Sequence, residues 1–335
     1  MPNKIRIEDV AQVAGVSTAT VSRALSRPER VSQKTQEIVQ AAIAKLGYVP
    51  DAAGRALASG RTQTVGCVIP TLDSAIFARS THAMQVTLAA SGYQLLVASH
   101  NYDPKLEVEV VNALQRRGVD ALVLVGAEHH SQVWASLQHW GKPVMLTWVC
   151  DKRYPSAGFD NRGIAALATR HLIDLGHRRI GMISGFTEHN DRAAQRQLGF
   201  TQELERAGLK TEPKWISTQE LNLSGGRQGF RHLYQLHQQP TAILCGNDML
   251  AIGAILEAQE LGVRVPEDVS ICGIDNHELA AEIKPSLTTV SLPTRDLGRI
   301  AAAQILQLLA GQPIAQQSLL PYQLVQRAST AQTQM

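Results

Sequence analysis

The chain has 335 residues, enough for about two domains. Apolar residues make up 44% and charged residues 18%, which excludes a disordered chain and a small scaffold that depends on disulfides. The longest apolar runs, such as 119–126, are shorter than the roughly 18 residues of a membrane span, and the first ten residues contain no apolar signal segment. We therefore expect a cytoplasmic protein with no membrane partner.

The cysteines and histidines do not form a recognisable metal-binding pattern. Each of the four cysteines lies in or beside an apolar run, and no CxxC or HExxH spacing occurs. We expect four reduced, buried thiols and no metal site.

Positive charge is concentrated at the N-terminus. Residues 1–61 contain nine Lys or Arg and five Asp or Glu, whereas the remaining residues carry 23 basic and 24 acidic side chains. An excess of four charges points to a polyanionic partner for the N-terminal segment, although it is a weak signal by itself.

The first fifty residues predict three short helices. Ile7, Val10, Ala11 and Ala14 recur at helical spacing until Gly15, which can close a helix with a positive φ. Ser17 is a good N-cap for a second helix over 18–25 that buries its apolar side. A third helix follows Ser32 and ends at Gly47, with its inner side predicted at Ile38, Ala42 and Leu46.

This arrangement is typical of a helix-turn-helix unit, whose second helix enters the major groove of DNA. Arg23 can contact guanine through two hydrogen bonds, and Ala19 offers a methyl group to thymine. Ser17 and Ser22 are suited to phosphate contacts. An ordinary helical hairpin with a solvated polar face is the alternative from this pattern alone.

The run EDVAQVAGVSTATVSRAL, followed by VS at 31–32 and LGYVP at 46–50, resembles the lactose/galactose repressor family of bacterial transcription regulators. The resemblance continues through the whole chain. It implies that Thr18, Ala19, Ser22 and Arg23 read the operator. The sequence departs from the family where the first helix begins, since Arg6 and Ile7 replace the usual Thr-like cap.

The segment after Pro50 is rich in small residues and too short to form a stable isolated helix. Its composition alone therefore indicates a linker. The resemblance implies a hinge that becomes helical on operator DNA and inserts Leu57 into the minor groove, with Ala53 and Arg55 close to DNA. Gly54 stands where alanine is common, which predicts a hinge helix less stable than those of relatives.

From residue 62 onward, short apolar runs alternate with amphipathic stretches. The runs lie at 65–70, 93–99, 120–126 and 143–149, and then at 179–184, 214–217, 242–246 and 269–274. This alternation predicts an α/β core of two doubly wound parallel-sheet subdomains behind the all-α helix-turn-helix headpiece. The resemblance implies that this core is periplasmic-binding-protein-like.

The predicted domains are a helix-turn-helix domain at 1–49, a hinge at 50–61 and an effector-binding and dimerisation domain at 62–335. Within the last, the N-subdomain spans 62–158 and 292–321, and the C-subdomain spans 159–291 and 322–330.

The fingerprints of nucleotide-dependent and hydrolytic enzymes are not found, since no GxGxxG, P-loop or GxSxG motif follows a strand. We therefore expect no enzymatic activity and no cofactor. One alternative is an exported two-lobed sugar carrier, or a sugar-binding sensor without a gene-regulatory role; the missing export signal and the N-terminal segment oppose it. The other is an α/β enzyme with a helical cap, which the missing fingerprints oppose.

Ligands of open α/β sheets bind at the carboxyl ends of strands. The polar residues at those ends are Asp73, Ser74, Asp160, Asn161, Asn190, Asp191, Arg192, Asn247, Asp248, Asp275 and Asn276. About half of them are explained by turn and helix capping alone, Asp248 above all.

The family resemblance narrows the choice of effector-binding residues. It implies that Arg196 holds polar groups of the effector, that Asp275 accepts its hydroxyl hydrogens, and that Asn247 and Asp160 contribute further contacts. It also implies that Phe77 and Trp148 pack on the effector, although core packing explains both equally well.

An arginine and a carboxylate with amides and aromatic rings suit a small polyhydroxylated effector. Arg192, if it is not a solvent-exposed loop arginine, adds a second positive charge near Arg196 and so weakly favours a sugar acid or a sugar phosphate as the effector. A purine is disfavoured because several stacked aromatic residues are not apparent.

The resemblance implies a homodimer on a near-palindromic operator. No leucine heptad follows residue 330, so we do not expect the C-terminal appendage through which the lactose repressor forms tetramers. Repression relieved when the effector closes the cleft and changes the spacing of the hinges is the expected mechanism.

Overall fold

The computed structural model describes residues 5–26, 28–49 and 60–333. The chain divides into two compact units. The first comprises Met1–Thr64 with Gly118–Asp120, and the second comprises Val65–Arg117 with Ala121–Met335.

The described residues of the first unit form three α-helices: α1 (Ile7–Ala14), α2 (Thr18–Ser26) and α3 (Gln33–Leu46), with a 3₁₀ turn at Pro28–Arg30 between the last two. Arg6 is the N-cap of α1, and its N–H donates to Asp9 Oδ2 at 2.7 Å. Asp9, on the third helical position, therefore supplies the reciprocal half of a capping box, whereas the Arg6 side chain makes no capping hydrogen bond.

The turn between α1 and α2 follows the sequence prediction. Gly15 ends α1 with φ +64°, and the Val16 N–H donates to Ala11 O at 3.1 Å. Ser17 caps α2, because its Oγ accepts the Thr20 N–H at 3.1 Å. Val10, Val21 and Val39, one from each helix, are fully buried at the centre of this small core.

The inner face of α3 differs from the prediction at one position. Ile38 is 41% exposed, whereas its neighbour Val39 is fully buried. Ala42 is buried and Leu46 is half-buried, as expected. The error comes from choosing an exact four-residue repeat, since the 3.6-residue period allows the buried face to run through 39, 42, 43 and 46 instead.

The last residues of the first unit are held by Asp120. Its carboxylate accepts the backbone N–H groups of Thr62 and Gln63 at 3.2 and 2.8 Å, and Thr62 Oγ1 donates to Gly118 O at 3.0 Å. Asp120 therefore fixes the chain where it leaves the hinge. Most of the hinge, 50–59, lies outside the described residues.

The second unit contains two six-stranded sheets. The first sheet has the strand order β11-β5-β4-β3-β1-β2, which places β2 at an edge. Its strands and associated helices are β1 (Thr64–Ile69), α4 (Ala75–Ala89), β2 (Gln94–Ser99), α5 (Pro104–Arg116), β3 (Ala121–Val125), α6 (Ser131–Trp140), β4 (Val144–Trp148), β5 (Ser156–Gly158), α12 (Thr294–Leu309) and β11 (Gln317–Leu319). We call this the first lobe.

The second lobe is built on the other sheet, with the order β12-β10-β9-β8-β6-β7. Its elements are α7 (Asn161–Asp174), β6 (Ile180–Gly185), α8 (Asp191–Arg206), β7 (Ile216–Gln219), α9 (Leu223–Tyr234), β8 (Ala242–Cys245), α10 (Asp248–Glu260), β9 (Ser270–Asp275), α11 (Leu279–Glu282), β10 (Thr288–Ser291) and β12 (Gln323–Val325). The paired strands are parallel except for β12, which runs antiparallel to β10 at the sheet edge.

The chain passes between the lobes three times: between β5 and α7, between β10 and α12, and between β11 and β12. The doubly wound fold class is as predicted, and the buried strands are continuous apolar runs because helices cover both faces of each sheet. The run at 214–217 is the exception: Pro213–Trp215 forms a 3₁₀ turn, and the strand begins at Ile216.

The four cysteines are free. Cys67, Cys245 and Cys272 are buried as expected, but Cys150 is only half-buried. None of the helices in the described part of the chain combines the length and apolar character that a bilayer crossing needs.

Replacing Val39 and Ile38 separately by alanine tests the packing of α3. Val39→Ala removes fully buried methyl groups, so the free energy of opening of α3 should fall by about 2 kcal/mol. Ile38→Ala should change it by less than about 0.5 kcal/mol because the side chain is largely exposed. Amide hydrogen exchange of residues 33–46 in the full chain measures both; equal losses would contradict the assigned burial.

Candidate functional site

The exposed face of α2 presents the residues predicted to read bases. Thr18, Ala19 and Arg23 are exposed and Ser22 is half-buried, while Val21 and Ala24 face the core. The side-chain oxygen of Ser17 is occupied by capping and by a 2.9 Å contact with Thr20 Oγ1. The helix start therefore offers short side chains and one cation to a groove. Ala53, Arg55 and Leu57 lie outside the described residues.

The second unit contains a cavity of about 160 Å³ between its lobes. The cavity lies at the carboxyl ends of the parallel strands, where loops of both sheets meet. Its lining residues are Thr71, Asp73, Ser74, Ile76, Phe77, Tyr102 and Trp148 from the first lobe, and Ser184, Gly185, Asn190, Arg192, Ala193, Arg196, Leu221, Asn222, Gly246, Asn247 and Met249 from the second.

Arg196 is the most strongly constrained side chain of the cavity. It is 7% exposed, and its guanidinium donates to Asn161 Oδ1 at 3.1 Å and to Gly246 O at 2.7 Å. Its Nη2 lies 3.6 Å from Asp275 Oδ1. Burial lowers the pKa of Arg196, with Asp275 acting in the opposite direction. These fixed acceptors hold the planar guanidinium in one orientation at the cavity wall.

Asp275 lies against Arg196 rather than among the residues that line the cavity. Burial raises its pKa to about 6, although the guanidinium groups of Arg196 and Arg79 favour the charged form. Its Oδ1 has no hydrogen-bond partner within the described residues. In this structure Asp275 therefore acts on Arg196, and its expected contact with an effector hydroxyl stays a prediction.

Phe77 and Trp148 serve both of the roles considered for them. They are buried in the core and also line the cavity, with ring centroids 5.0 Å apart at an interplanar angle of 72°. Trp148 has φ +70°, an uncommon conformation for a bulky residue, at the point where β4 ends. The Trp148 carbonyl accepts a hydrogen bond from Asn161 Nδ2 at 3.0 Å, and Asn161 in turn accepts from Arg196, so the backbone of Trp148 is linked to Arg196.

The expectation that Asp248 caps a helix is wrong. Asn247 is the N-cap of α10, and its side-chain oxygen accepts the Leu250 N–H at 2.9 Å. This oxygen of the cavity residue is therefore already engaged in capping. Asp248 is buried one position later, where its carboxylate bonds Thr289 Oγ1 at 2.5 Å and the His277 N–H at 2.6 Å. Burial, followed by repulsion from Asp275, raises the pKa of Asp248 to about 8.

Asp160 does not line the cavity. It is exposed, and its side chain caps α7 by accepting the Gly163 N–H at 2.9 Å. Its neighbour Asn161 joins Trp148 to Arg196 instead. The sequence marked both residues at this crossover, and only the fold shows which side chain turns inward.

Arg192 is not a solvent-exposed loop arginine. It is 7% exposed, lines the cavity, and donates to Asp191 Oδ1 at 2.7 Å. Its charge is therefore balanced by a carboxylate, as that of Arg196 is by Asp275. The remaining charged residue of the lining is Asp73, so the cavity walls carry no excess positive charge.

Several cavity residues were missed by the sequence analysis: Thr71, Ile76, Tyr102, Ser184, Leu221, Asn222 and Met249. Tyr102 could have been found, because it closely follows β2 and the same strand-end rule applies to it. Leu221 and Asn222 follow β7, whose position was misjudged. Within the described residues, no group of His, Cys, Asp or Glu side chains is arranged to hold a metal ion.

The fold and the cavity together define a class: a helix-turn-helix unit joined to a two-lobed ligand-binding domain. Comparison with known families agrees. The model for bacterial regulatory proteins of the lacI family matches residues 6–51, and the model for a periplasmic binding protein-like domain matches residues 169–330.

Individual proteins match almost the full length. The HTH-type transcriptional repressor CytR of Escherichia coli (strain K12) is 32% identical over 327 residues, which cover 97% of this chain and 96% of the relative. A lac repressor dimer bound to operator and the anti-inducer ONPF has a TM-score of 0.87 at 28% identity, covering 98% of this chain and 100% of that one. A complex of the transcriptional regulator CelR with cellobiose has a TM-score of 0.73 at 27% identity, covering 97% and 99%.

The chain belongs to the lacI family of bacterial regulatory proteins. It is a DNA-binding transcriptional regulator with a small-molecule effector.

The raised pKa of Asp248 predicts how stability depends on pH. An unfolded Asp ionises near 3.8, whereas Asp248 in the fold ionises near 8, so between these values the folded chain binds more protons and its free energy of unfolding falls as pH rises. Asp248→Asn can keep both hydrogen bonds without the buried charge. Its stability relative to wild type should therefore increase by roughly 1 kcal/mol per pH unit between pH 5 and 7. Denaturant unfolding measures this, and a pH-independent difference would contradict the assignment.

Proposed function

We propose that the chain is a repressor whose operator affinity is controlled by a neutral, polyhydroxylated effector, a sugar above all. The observation that carries the proposal is the buried Arg196, held at the wall of the interlobe cavity by Asn161, Gly246 and Asp275. Such an array holds the remaining N–H groups of Arg196 in a fixed direction for a ligand rich in hydroxyl groups.

The charge balance of the cavity favours a neutral effector over a sugar acid or sugar phosphate. Arg192 and Arg196 already lie beside Asp191 and Asp275, so an anionic ligand would have to compete with carboxylates that are in place. Phe77 and Trp148 offer apolar ring surface to the C–H face of a sugar. The related CelR forms a complex with cellobiose, which is consistent with this class of ligand. We retain Asn247 as an effector contact and propose Asn161 in place of Asp160 as a positioning residue.

For DNA we propose direct readout by Thr18, Ala19, Ser22 and Arg23, with phosphate contacts from Ser17. Insertion of Leu57 into the minor groove, aided by Ala53 and Arg55, stays a prediction of the family resemblance. The same holds for the hinge at 50–61 and the other proposed domain boundaries.

We propose that the active form is a homodimer, as in the related lac repressor dimer bound to operator. The edge strand β2 and the helix α5 supply a suitable surface in the first lobe. The half-buried Leu95 and Leu96 and the exposed Val97 lie there beside Val110 and Ala113 in an apolar groove of about 340 Å³. A second copy would cover this unpaired strand edge, which otherwise favours aggregation.

The mechanism we propose is a coupling between cavity and operator. Effector binding stabilises closed lobes and changes the spacing of two hinges in the dimer, and operator affinity falls. Because binding free energies are linked, operator DNA must weaken effector binding by the same factor, typically about 5- to 150-fold. Since its target is DNA, the protein acts in the cytoplasm. We propose no enzymatic role: the residues lining the cavity serve to bind.

A gel-shift experiment with genomic fragments tests the DNA-binding part. Arg23→Ala should weaken binding to the preferred fragment by about 1–3 kcal/mol and relax its sequence preference, because a base contact is lost. Lys45→Ala removes the same charge from an exposed position on α3 and should leave the preference unchanged. A wild-type chain without any sequence-selective shift would favour the alternative, a sugar-binding protein without a regulatory role.

A thermal-shift screen of neutral sugars, sugar acids and sugar phosphates tests the effector part. We expect a neutral sugar to raise the melting temperature of the wild-type chain, and we expect Arg196→Ala to abolish that rise while DNA affinity stays near wild type. Arg162→Ala, an exposed arginine outside the cavity, is the matched control. Stabilisation only by acids or phosphates would refute the charge argument, and a normal response of Arg196→Ala would refute the site.

A further inference from the structure

A polar contact joins the two lobes beside the cavity. Asp191, the first residue of α8 in the second lobe, accepts the Ala127 N–H of the first lobe through Oδ2 at 2.6 Å. The other oxygen of the same carboxylate accepts from Arg192 Nη1 at 2.7 Å. One carboxylate therefore connects the opposite lobe to a side chain that lines the cavity.

The segment that carries Ala127 is fixed within its own lobe. The Gly126 N–H donates to Thr147 O at 2.9 Å, and Gly126 O contacts His129 Nε2 at 3.1 Å. Ala127 O accepts from Arg153 Nη2 at 2.7 Å. Because the flanking groups are satisfied inside the first lobe, the Ala127 N–H is held in a defined direction toward Asp191.

Two braces keep this segment in place. Arg153 bonds both oxygens of Asp151, at 3.0 and 2.9 Å, and its guanidinium lies 4.2 Å from the centre of the Trp134 ring. His129 Nδ1 lies 2.6 Å from Glu107 Oε1, while the other oxygen of Glu107 accepts the His130 N–H at 3.1 Å. Such preorganisation lowers the entropic cost of forming the contact each time the lobes close.

Arg192 reaches this contact because residue 126 is glycine. Gly126 has φ +96°, and a Cβ built there would overlap Arg192 Nη1. Arg192 has one hydrogen bond among the described residues, to Asp191, so its other N–H groups remain for a ligand in the cavity that it lines.

We propose that Asp191 is an effector-dependent latch between the lobes: an effector that engages Arg192 fixes Arg192 against Asp191, and Asp191 then holds the Ala127 N–H. The proposal rests on the proposed function, in which the cavity binds the effector. Asp191 is a positioning residue, since it acts through Arg192 and a backbone amide. Its loss uncouples occupancy of the cavity from closure.

Amide hydrogen exchange of Ala127 in the full chain tests the latch without any effector. Removing a hydrogen bond to a charged acceptor in Asp191→Ala should speed exchange roughly ten- to hundredfold. Asp191→Asn keeps an acceptor oxygen and should give a smaller increase. Asp268→Ala is the matched control, because Asp268 likewise accepts from an arginine and a backbone N–H, at 2.5 and 2.8 Å, but within the second lobe only.

Val123, in the core of β3, reports whether the fold survives. If Val123 exchange also rises in Asp191→Ala, that variant is destabilised as a whole. The test then rests on Ala127 exchange in the milder variant Asp191→Asn. Unchanged Ala127 exchange in a folded Asp191 variant, or an equal rise in Asp268→Ala, would overturn the latch.

A second measurement uses glucose, ribose and cellobiose as probes. A sugar that stabilises the wild-type chain should slow Ala127 exchange there and slow it less in Asp191→Ala. An equal effect on both proteins would overturn the coupling. If none of the sugars binds but Ala127 exchange still depends on Asp191, the proposed effector class fails while the interlobe contact stands.

Discussion

The cavity depends on the burial of one guanidinium. A buried arginine remains charged only when oxygen acceptors surround it, and those of Arg196 come from a crossover residue, a strand end and a carboxylate. Asn161 also bonds Trp148, so placing Arg196 correctly places an aromatic wall of the other lobe. The raised pKa of Asp275 follows from the same burial. The Arg196–Asp275 ion pair thus serves mainly to orient the guanidinium at the cavity wall, and it contributes little to the stability of the fold.

Each lobe has its own sheet, and two of the contacts that join the lobes outside the crossovers are polar. Besides the Asp191–Ala127 bond, Arg79 pairs with Glu278 at 3.3 Å, an exposed interaction of little energetic weight. A ligand can shift the populations of the open and closed arrangements only when the two lie near each other in free energy.

The sequence predicted most of this architecture because its signals are local. Buried parallel strands read as apolar runs, and the strand-end rule brought Asn190, Arg192 and Asn247 to the cavity wall. Errors arose where two neighbouring residues were candidates for the same inward position. The structure buries Val39 instead of Ile38, and it turns Asn161 instead of Asp160 toward Arg196. A local pattern does not reveal which neighbour turns inward, since packing from distant segments sets it. The Ala127 N–H could not be predicted at all, because every residue except proline has this donor.

The strength of the Asp191 contact suits a regulator. A hydrogen bond to a charged group contributes about 1.5–3 kcal/mol, and allosteric coupling free energies are typically about 1–3 kcal/mol. One such bond that is strengthened when the cavity is occupied therefore has the magnitude needed to couple the cavity to DNA. A much stronger latch would close the lobes without effector, and a much weaker one would leave operator affinity indifferent to it. The rigid bracing of the 126–130 segment matters for this reason, because ordering a mobile donor segment would offset the free energy that the bond contributes.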